Sequence, residues 1–186
     1  MRIISGIYKG KTILPDKHFT ARPTTDFARE SLFDILDNRI DFSAIHALDL
    51  FSGTGAISYE LISRGCRAVD AVELNRLHAA FIRRTAERWG MRGLRVIQQD
   101  VFRFLSMGRW AYDLVFADPP YDLPRLTELP EAVLSQQVLA AEGIFVLEHP
   151  RTCDFSSHPW LYDHRKYGNV HFSFFRKPCE EPRPNM

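Results

Sequence analysis

Short apolar runs alternate with longer amphipathic segments through the middle of the chain. The runs of strand length are IHALDLF, AVDAVEL, RVIQQD, YDLVFAD and GIFVLEHP. Each run except the last is followed by a segment whose apolar residues recur at helical spacing. Strands that alternate with helices in this way predict a parallel sheet with helices on both faces, which is an α/β fold.

Both ends of the chain depart from this pattern. Residues 1 to 22 alternate apolar and polar positions on both sides of Lys9-Gly10, which predicts a β-hairpin extension that projects from the main domain, residues 23 to 178. Two β-rich runs split by Gly168-Asn169 predict that the last strands are antiparallel. The proline-containing tail, residues 179 to 186, is predicted to be disordered.

Composition narrows the class of protein. The chain has 186 residues, of which 45% are apolar, and this suits one packed domain. The net charge of +1 means that any nucleic acid must bind to a local basic surface. Three cysteines without a CxxC pair, no signal peptide and no apolar window of membrane length predict a cytoplasmic protein with no membrane contact.

The loop after the first predicted strand is a candidate cofactor site. It reads Asp49-Leu-Phe-Ser-Gly-Thr-Gly55, in which two glycines allow a tight turn and the next helix offers free N–H groups to an anion. A dinucleotide fingerprint would need glycine where the chain has Ser58, which disfavours a nicotinamide oxidoreductase. Asp49 could accept a hydrogen bond from an ammonium group, which favours S-adenosylmethionine over NAD.

Acidic residues also end the second and third predicted strands. Glu73 is suited to the ribose hydroxyls of an adenosine, and Asp100 to the adenine amino group, with Val101 packing on the ring. The simpler alternative is that both acids are helix N-caps. Together with Asp49, they favour an adenosine pocket.

The fourth predicted strand runs into Asp118-Pro119-Pro120-Tyr121. The prolines end the strand and leave a rigid loop that presents a carboxylate and carbonyl oxygens. Such acceptors suit the two N–H groups of an exocyclic amine, and Tyr121 could stack on an unpaired base. This loop predicts methyl transfer to a nitrogen. The seven histidines are scattered along the chain, which predicts that no metal ion is bound.

Four segments resemble the bacterial 16S ribosomal RNA guanine-N2 methyltransferase family, RsmD type. They are MRIISGIYKGKTILP, RPTTDFARESLFDIL, LDLFSGTGAISYELISRG and VFADPPY. The resemblance implies a Rossmann-like class I methyltransferase fold with a seven-stranded sheet, S-adenosylmethionine as donor, and one guanine of small-subunit ribosomal RNA, presented in an assembled or partly assembled subunit. A monomer is expected.

By position, the resemblance assigns roles to residues of both loops. Asp49, Phe51, Gly53 and Gly55 would line the methionine end of the cofactor. Glu73 would hold the ribose, and Asp100 with Val101 the adenine. Asp118 and Tyr121 would hold the guanine, with the Pro119 carbonyl as second acceptor and Pro120 stiffening the loop.

Basic residues near both ends are candidate RNA contacts, although each could equally belong to an ordinary solvated face. They are Lys9, Lys11, Arg22, Thr24, Arg165 and Lys166, with Thr24 included for its place before the first helix. Two alternatives remain open. One is an N-methyltransferase acting on a DNA base or a protein glutamine, and the other is a ribosome-docking factor without catalytic activity.

Overall fold

Seven strands and five helices are present in the computed structural model, which describes residues 1–15, 26–108, 111–135 and 137–177. The strands are β1 (His46–Leu50), β2 (Ala68–Glu73), β3 (Leu94–Gln98), β4 (Tyr112–Ala117), β5 (Leu139–Pro150), β6 (Leu161–Tyr167) and β7 (Val170–Phe175). The helices are α1 (Asp26–Asp37), α2 (Ala56–Ser63), α3 (Arg76–Trp89), α4 (Val101–Ser106) and α5 (Leu129–Leu134). Short 3-10 turns cover Phe42–Ala44 and Leu126–Glu128.

All seven strands form one sheet in the order β3-β2-β1-β4-β5-β7-β6. The first five strands are parallel to one another, so the predicted α/β architecture is confirmed. The chain runs outward from β1 to β3 and then crosses back to β4, which makes β1 and β4 the point where the strand order reverses. In open parallel sheets, ligands bind beyond the carboxyl ends of the strands at this point.

The last three strands form the antiparallel part of the sheet. β7 lies between β5 and β6 and is antiparallel to both. Gly168 has a φ of 64° in the turn that joins β6 to β7, which is the left-handed conformation that glycine adopts without strain. The predicted antiparallel pair is therefore confirmed, and the turn lies at the same edge of the sheet as the carboxyl ends of the parallel strands.

Apolar side chains cover both faces of the sheet. One face packs against α1, α2 and α3, and the other against α4 and α5. Strands buried on both faces read as continuous apolar runs, which explains why runs such as YDLVFAD lack alternation. No helix among the described residues is long and apolar enough to cross a membrane.

The amino-terminal segment packs against α2. It pairs with itself at one antiparallel bridge, between Arg2 and Thr12, and buries Ile3 and Ile13. The prediction that this segment projects is wrong, because Ile3 and Ile13 are part of the main core, although Ile7 and Leu14 of the same segment are exposed. Residues 16 to 22 and the predicted disordered tail, 179 to 186, lie outside the described residues.

Candidate active site

The loop between β1 and α2 turns sharply through residues with positive φ. Phe51 has a φ of 59°, Gly53 of 53° and Gly55 of 80°. A side chain at Gly55 is excluded sterically as well, because a Cβ atom there would lie 2.8 Å from Cζ of Tyr59. The loop therefore folds back tightly over the carboxyl end of β1 and leads directly into α2.

Asp49 is a buried carboxylate beneath this loop. The backbone N–H of Ser58 donates to its Oδ2 at 3.1 Å, and the Ser58 hydroxyl donates to the same oxygen. Burial raises the pKa of Asp49 to about 7, against the opposing effect of the Ser58 hydrogen bonds, and the nearby acids Asp118 and Glu73 raise it further. Such a carboxylate is well suited to pair with a cationic group of a ligand.

Ser58 thus has a role that the sequence interpretation did not assign. The sequence marks it only as the residue that replaces a third fingerprint glycine. In the structure it is fully buried in α2 and fixes the orientation of the Asp49 carboxylate. Its hydroxyl, which a glycine lacks, adds a second hydrogen bond to the one that the backbone N–H donates.

Glu73 ties the glycine loop to the end of β2. Its carboxylate accepts hydrogen bonds from the N–H groups of Gly53 at 2.8 Å and Asn75 at 2.7 Å. The N-cap of α3 is Asn75, whose side chain accepts from the first turn of that helix. The alternative that Glu73 is merely a helix cap is therefore wrong, and its carboxylate, with two lone pairs on each oxygen, can still accept from ribose hydroxyls.

Asp100 does cap a helix. Its side chain accepts from the N–H of Arg103 at 2.9 Å at the start of α4, as the simpler alternative predicted. Val101 is buried in the core of the sheet's second face. The Arg125 guanidinium lies 3.9 Å from the centre of the neighbouring Phe102 ring. An adenine contact from Asp100 and Val101 stays a prediction.

The Asp118-Pro119-Pro120-Tyr121 loop continues directly from β4. The N–H of Asp118 donates to the carbonyl of Leu50 at 3.4 Å, so the loop stays attached to β1. Pro119 is buried, whereas Tyr121 is 45% exposed and its hydroxyl donates to Oε1 of Glu148 at 3.3 Å. The loop therefore presents the ring of Tyr121 to solvent, while the hydrogen bond to the buried Glu148 fixes its hydroxyl.

Four acids lie on one face of four neighbouring strands: Glu73, Asp49, Asp118 and Glu148. Ala71, Asp49, Phe116 and Val146 are in register across β2, β1, β4 and β5. Glu73, Asp118 and Glu148 each lie two residues after the member of this row on their own strand. Because alternate residues of a strand point to the same face, all four acids are on the same face of the sheet. The structure thus brings the predicted cofactor and substrate acids together at the edge where strand order reverses.

Glu148 is the acid that the sequence interpretation missed. It is 3% exposed near the end of β5. The signal was present in the sequence, because GIFVLEHP has an acid near its carboxyl end, as AVDAVEL and VFADPP do. It was overlooked because no motif surrounds it.

The predicted RNA contacts fall in two separate places. Lys166 is exposed beside the β6–β7 turn, at the same edge as the acids, and Arg165 pairs with Asp163 at 3.1 Å. Lys9 and Lys11 lie on the amino-terminal segment, where the Lys11 ammonium is 5.4 Å from the Trp89 ring at the end of α3. That helix end is at the opposite side of the sheet from the acids.

Arg22 and Thr24 lie outside the described residues, so their predicted contacts stay predictions.

Three histidines cluster where β5, β7 and β6 meet. The ring centres of His149, His164 and His171 lie 5.1 to 5.7 Å apart. Burial lowers the pKa of His149 to about 4, and its Nε2 lies 2.8 Å from the Ser173 hydroxyl. Within the ranges described, no group of three or more His, Cys, Asp or Glu side chains is arranged to hold a metal ion.

The strand order, the glycine loop after β1 and the Asp-Pro-Pro-Tyr loop after β4 define a class I, S-adenosylmethionine-dependent methyltransferase. The chain belongs to the family described as conserved hypothetical protein 95, whose model matches residues 1–176.

Named relatives agree with this assignment. Ribosomal RNA small subunit methyltransferase D of Escherichia coli K12 is 30% identical over 149 residues, covering 80% of this chain and 74% of its own. The protein of the same name from Buchnera aphidicola is 27% identical over 179 residues, covering 94% and 91%. The solved structure of E. coli yhhF superimposes with a TM-score of 0.84 at 26% identity, covering 97% and 99%. The resemblance noted in the sequence is thereby confirmed.

Proposed function

We propose that this protein transfers the methyl group of S-adenosylmethionine to the exocyclic N2 of one guanine in 16S ribosomal RNA. The observation that carries this proposal is the position of the Asp118 loop, hydrogen-bonded to β1 beside the glycine loop. The names of the relatives, ribosomal RNA small subunit methyltransferases, support the RNA substrate. A ribosomal substrate would put the reaction in the cytoplasm, and this location is part of the proposal.

The cofactor side of the site is formed by acids and the glycine loop. Asp49 would pair with the ammonium of the methionine end, beside Phe51, Gly53 and Gly55, and Glu73 would accept from the ribose hydroxyls. When bound, S-adenosylmethionine would supply an electrophilic methyl group on a sulfonium. The fit rests on the donor set, because a buried carboxylate with a raised pKa gains stability when a cation pairs with it.

The base side of the site is formed by the rigid loop. Asp118 and the carbonyl of Pro119 would accept the two hydrogens of the guanine amine and hold the nitrogen towards the methyl group. An exocyclic amine is a poor nucleophile because its lone pair is delocalised into the ring, so alignment and polarisation by fixed acceptors supply most of the acceleration. Tyr121, which is 45% exposed, would stack on the base.

The surface near the β6–β7 turn is the part of the proposed RNA interface closest to the acids. Lys166 and Arg165 would contact phosphates there. Lys9 and Lys11 would reach a more distant part of the RNA, which suits a large substrate such as an assembled or partly assembled subunit. We propose that a single copy of the chain, with Arg22 and Thr24 as further contacts, is sufficient.

The proposal is tested by transfer of labelled methyl groups to small subunits that lack the modification, beside naked 16S RNA, DNA and protein. We expect N2-methylguanosine in subunits, identified by mass. Asp118→Ala should lower the rate by about 1,000-fold, since it removes a charged acceptor at the reacting amine. The matched control is Asp122→Ala, an exposed acid four residues further on that should leave the rate unchanged.

Other outcomes would select one of the alternatives. Label in DNA or protein alone would contradict the ribosomal substrate and leave the methyltransferase class intact. No label in any substrate, with S-adenosylhomocysteine still bound, would favour the docking factor. Binding of S-adenosylhomocysteine should be the same in Asp118→Ala and the wild type, because that carboxylate is assigned to the base.

A further inference from the structure

Glu148 lies directly beside the base-side loop. Ala117 of β4 lies opposite Leu147 of β5, and continuing the same register by one residue places Asp118 opposite Glu148. Adjacent strands are about 4.8 Å apart, so this register places the backbones of the two acids side by side, with both residues on the same face of the sheet. The hydroxyl of Tyr121, the proposed stacking residue, donates to Glu148 at 3.3 Å. Glu148 therefore borders the volume in which the base would lie.

The four acids divide evenly between the two partners of the proposed reaction. Asp49 and Glu73 lie on β1 and β2, on the cofactor side, whereas Asp118 and Glu148 lie on the β4 and β5 side. Guanine presents three N–H hydrogens along one edge, two on N2 and one on the adjacent N1. Asp118 and the Pro119 carbonyl account for the two on N2, which leaves the hydrogen on N1.

We propose that Glu148 accepts the hydrogen bond from N1–H of the target guanine and thereby selects guanine over other bases. This inference rests on the proposed function. Adenine and cytosine carry a lone pair at the corresponding ring nitrogen, next to their exocyclic amine. A carboxylate facing that lone pair would repel it, so Glu148 excludes both bases while Asp118 alone would tolerate them.

Burial makes this selection strong. Glu148 is 3% exposed, so little water can separate its carboxylate from an incorrect base. A polar group left without its partner in such a place costs far more than one at the surface, which is how enzymes reject analogues that lack a single hydrogen-bond donor. The hydrogen bond from Tyr121 fixes the position of the Glu148 carboxylate relative to the stacking ring. A base that stacks on Tyr121 therefore also places its N1 against Glu148.

The decisive substrate is 2-aminopurine, which keeps the reactive 2-amino group and has a lone pair at N1. Small subunits would be reconstituted with 16S RNA that carries 2-aminopurine in place of the modified guanine. The wild type should prefer guanine by about 100-fold in kcat/KM, as expected for a charged hydrogen bond replaced by repulsion. In Glu148→Gln the preference should fall at least about tenfold, because the amide can donate to the N1 lone pair.

Controls separate this inference from the proposed function. 2-Aminopurine also lacks the guanine O6, but that loss affects the wild type and the variant alike, so the change in the ratio reports Glu148. Glu131→Gln, an exposed glutamate on α5, should keep the wild-type ratio. Glu148→Asp, which keeps the charge but withdraws it by one methylene, is the second variant and should also lower the preference. Melting temperature and S-adenosylhomocysteine binding should be unchanged in the variants.

Each remaining result has a definite meaning. A preference that is the same in Glu148→Gln and in the wild type would overturn the inference and leave the methyltransferase proposal standing. If the wild-type ratio of kcat/KM for guanine to that for 2-aminopurine is near one, the inference is also overturned, and the methyltransferase proposal still stands. No transfer to either RNA would overturn the proposed function, and this inference with it.

Discussion

Two buried acids, Glu60 within α2 and Asp49 on β1, differ in how completely their hydrogen bonds are satisfied. Glu60 is 0% exposed and accepts from the N–H groups of Ile4 at 2.7 Å and Ser5 at 3.0 Å and from Nε of Arg64 at 2.9 Å. Asp49 is 1% exposed, and the two hydrogen bonds that it accepts from the described residues both come from Ser58, at one oxygen. Within the part of the chain that the structure describes, Glu60 alone of these two acids has a cationic side chain hydrogen-bonded to it.

We propose that this difference separates a structural acid, Glu60, from a cofactor-binding acid, Asp49. The Glu60 carboxylate joins two chain segments and has its charge balanced within the protein, so removing it would leave its buried partners unsatisfied and destabilise the fold. Asp49 is desolvated, and no cationic side chain of residues 1–15, 26–108, 111–135 or 137–177 is hydrogen-bonded to it. Its raised pKa reflects the free-energy cost of ionising a buried carboxyl. A ligand that brings a positive charge would remove this cost, which is why incomplete pairing indicates a site.

The largest expected effect is on stability, from Glu60→Ala. The substitution leaves two backbone N–H groups and Nε of Arg64 without their acceptor in a largely buried place, although Asp37 still accepts from Nη1 of Arg64. We expect the free energy of unfolding to fall by about 3–5 kcal/mol, measured by urea denaturation. Glu30→Ala, on the exposed face of α1, should change it by less than about 0.5 kcal/mol. Equal losses in the two variants would contradict the structural role of Glu60.

Asp49→Asn should have the opposite effects: it should weaken the binding of S-adenosylhomocysteine strongly and should not destabilise the fold. The amide keeps an acceptor for Ser58 but carries no charge for an ammonium group. We expect the affinity for S-adenosylhomocysteine to fall by about 100-fold, the order of a desolvated charged hydrogen bond, as measured by calorimetry. The melting temperature at pH 8 should stay the same or rise, because the variant no longer buries an ionised carboxylate without a cation. A marked drop in melting temperature with unchanged affinity would reverse the two roles.

The sequence predicted the sheet and most of the acids because both follow from simple periodicity. Buried parallel strands are continuous apolar runs, and a polar residue at the end of each run must lie at the ligand-binding edge. Glu73 was found in this way, whereas Asp49 was found from its place ahead of the glycine loop. Glu148 follows the same rule, but its strand lacks a neighbouring motif such as glycines or prolines, and only the register with β4 brings it next to Asp118.

Other features depend on tertiary contacts that periodicity does not encode. Alternation in the amino-terminal segment correctly marked Ile3 as an apolar position, yet it could not reveal that Glu60 of α2 would accept two of the segment's backbone N–H groups. The same limit applies to Asp100 and Glu73. Both are acids after a strand, and only the structure distinguishes the helix cap from the acid that holds the glycine loop.

The smallest expected effect is the pH dependence of cofactor binding, and it tests Asp49 without removing it. Because its pKa is raised to about 7, the carboxyl is mostly protonated at pH 6 and mostly ionised above pH 7.5. Binding of an ammonium group requires the ionised form, so binding at low pH must release a proton. We expect affinity for S-adenosylhomocysteine to weaken by about tenfold between pH 7.5 and pH 6, the factor for titration of one group.

Calorimetry in two buffers of different ionisation enthalpy would count the proton released at pH 6, which should approach one in the wild type. In Asp49→Asn both the release and the pH dependence over this range should vanish, while the weak residual affinity stays constant. A wild-type affinity that is flat between pH 6 and pH 7.5 would mean that Asp49 is already ionised in the free protein. The contrast with Glu60 would then rest on hydrogen-bond number alone, and the raised pKa could not serve as the mark of the binding acid.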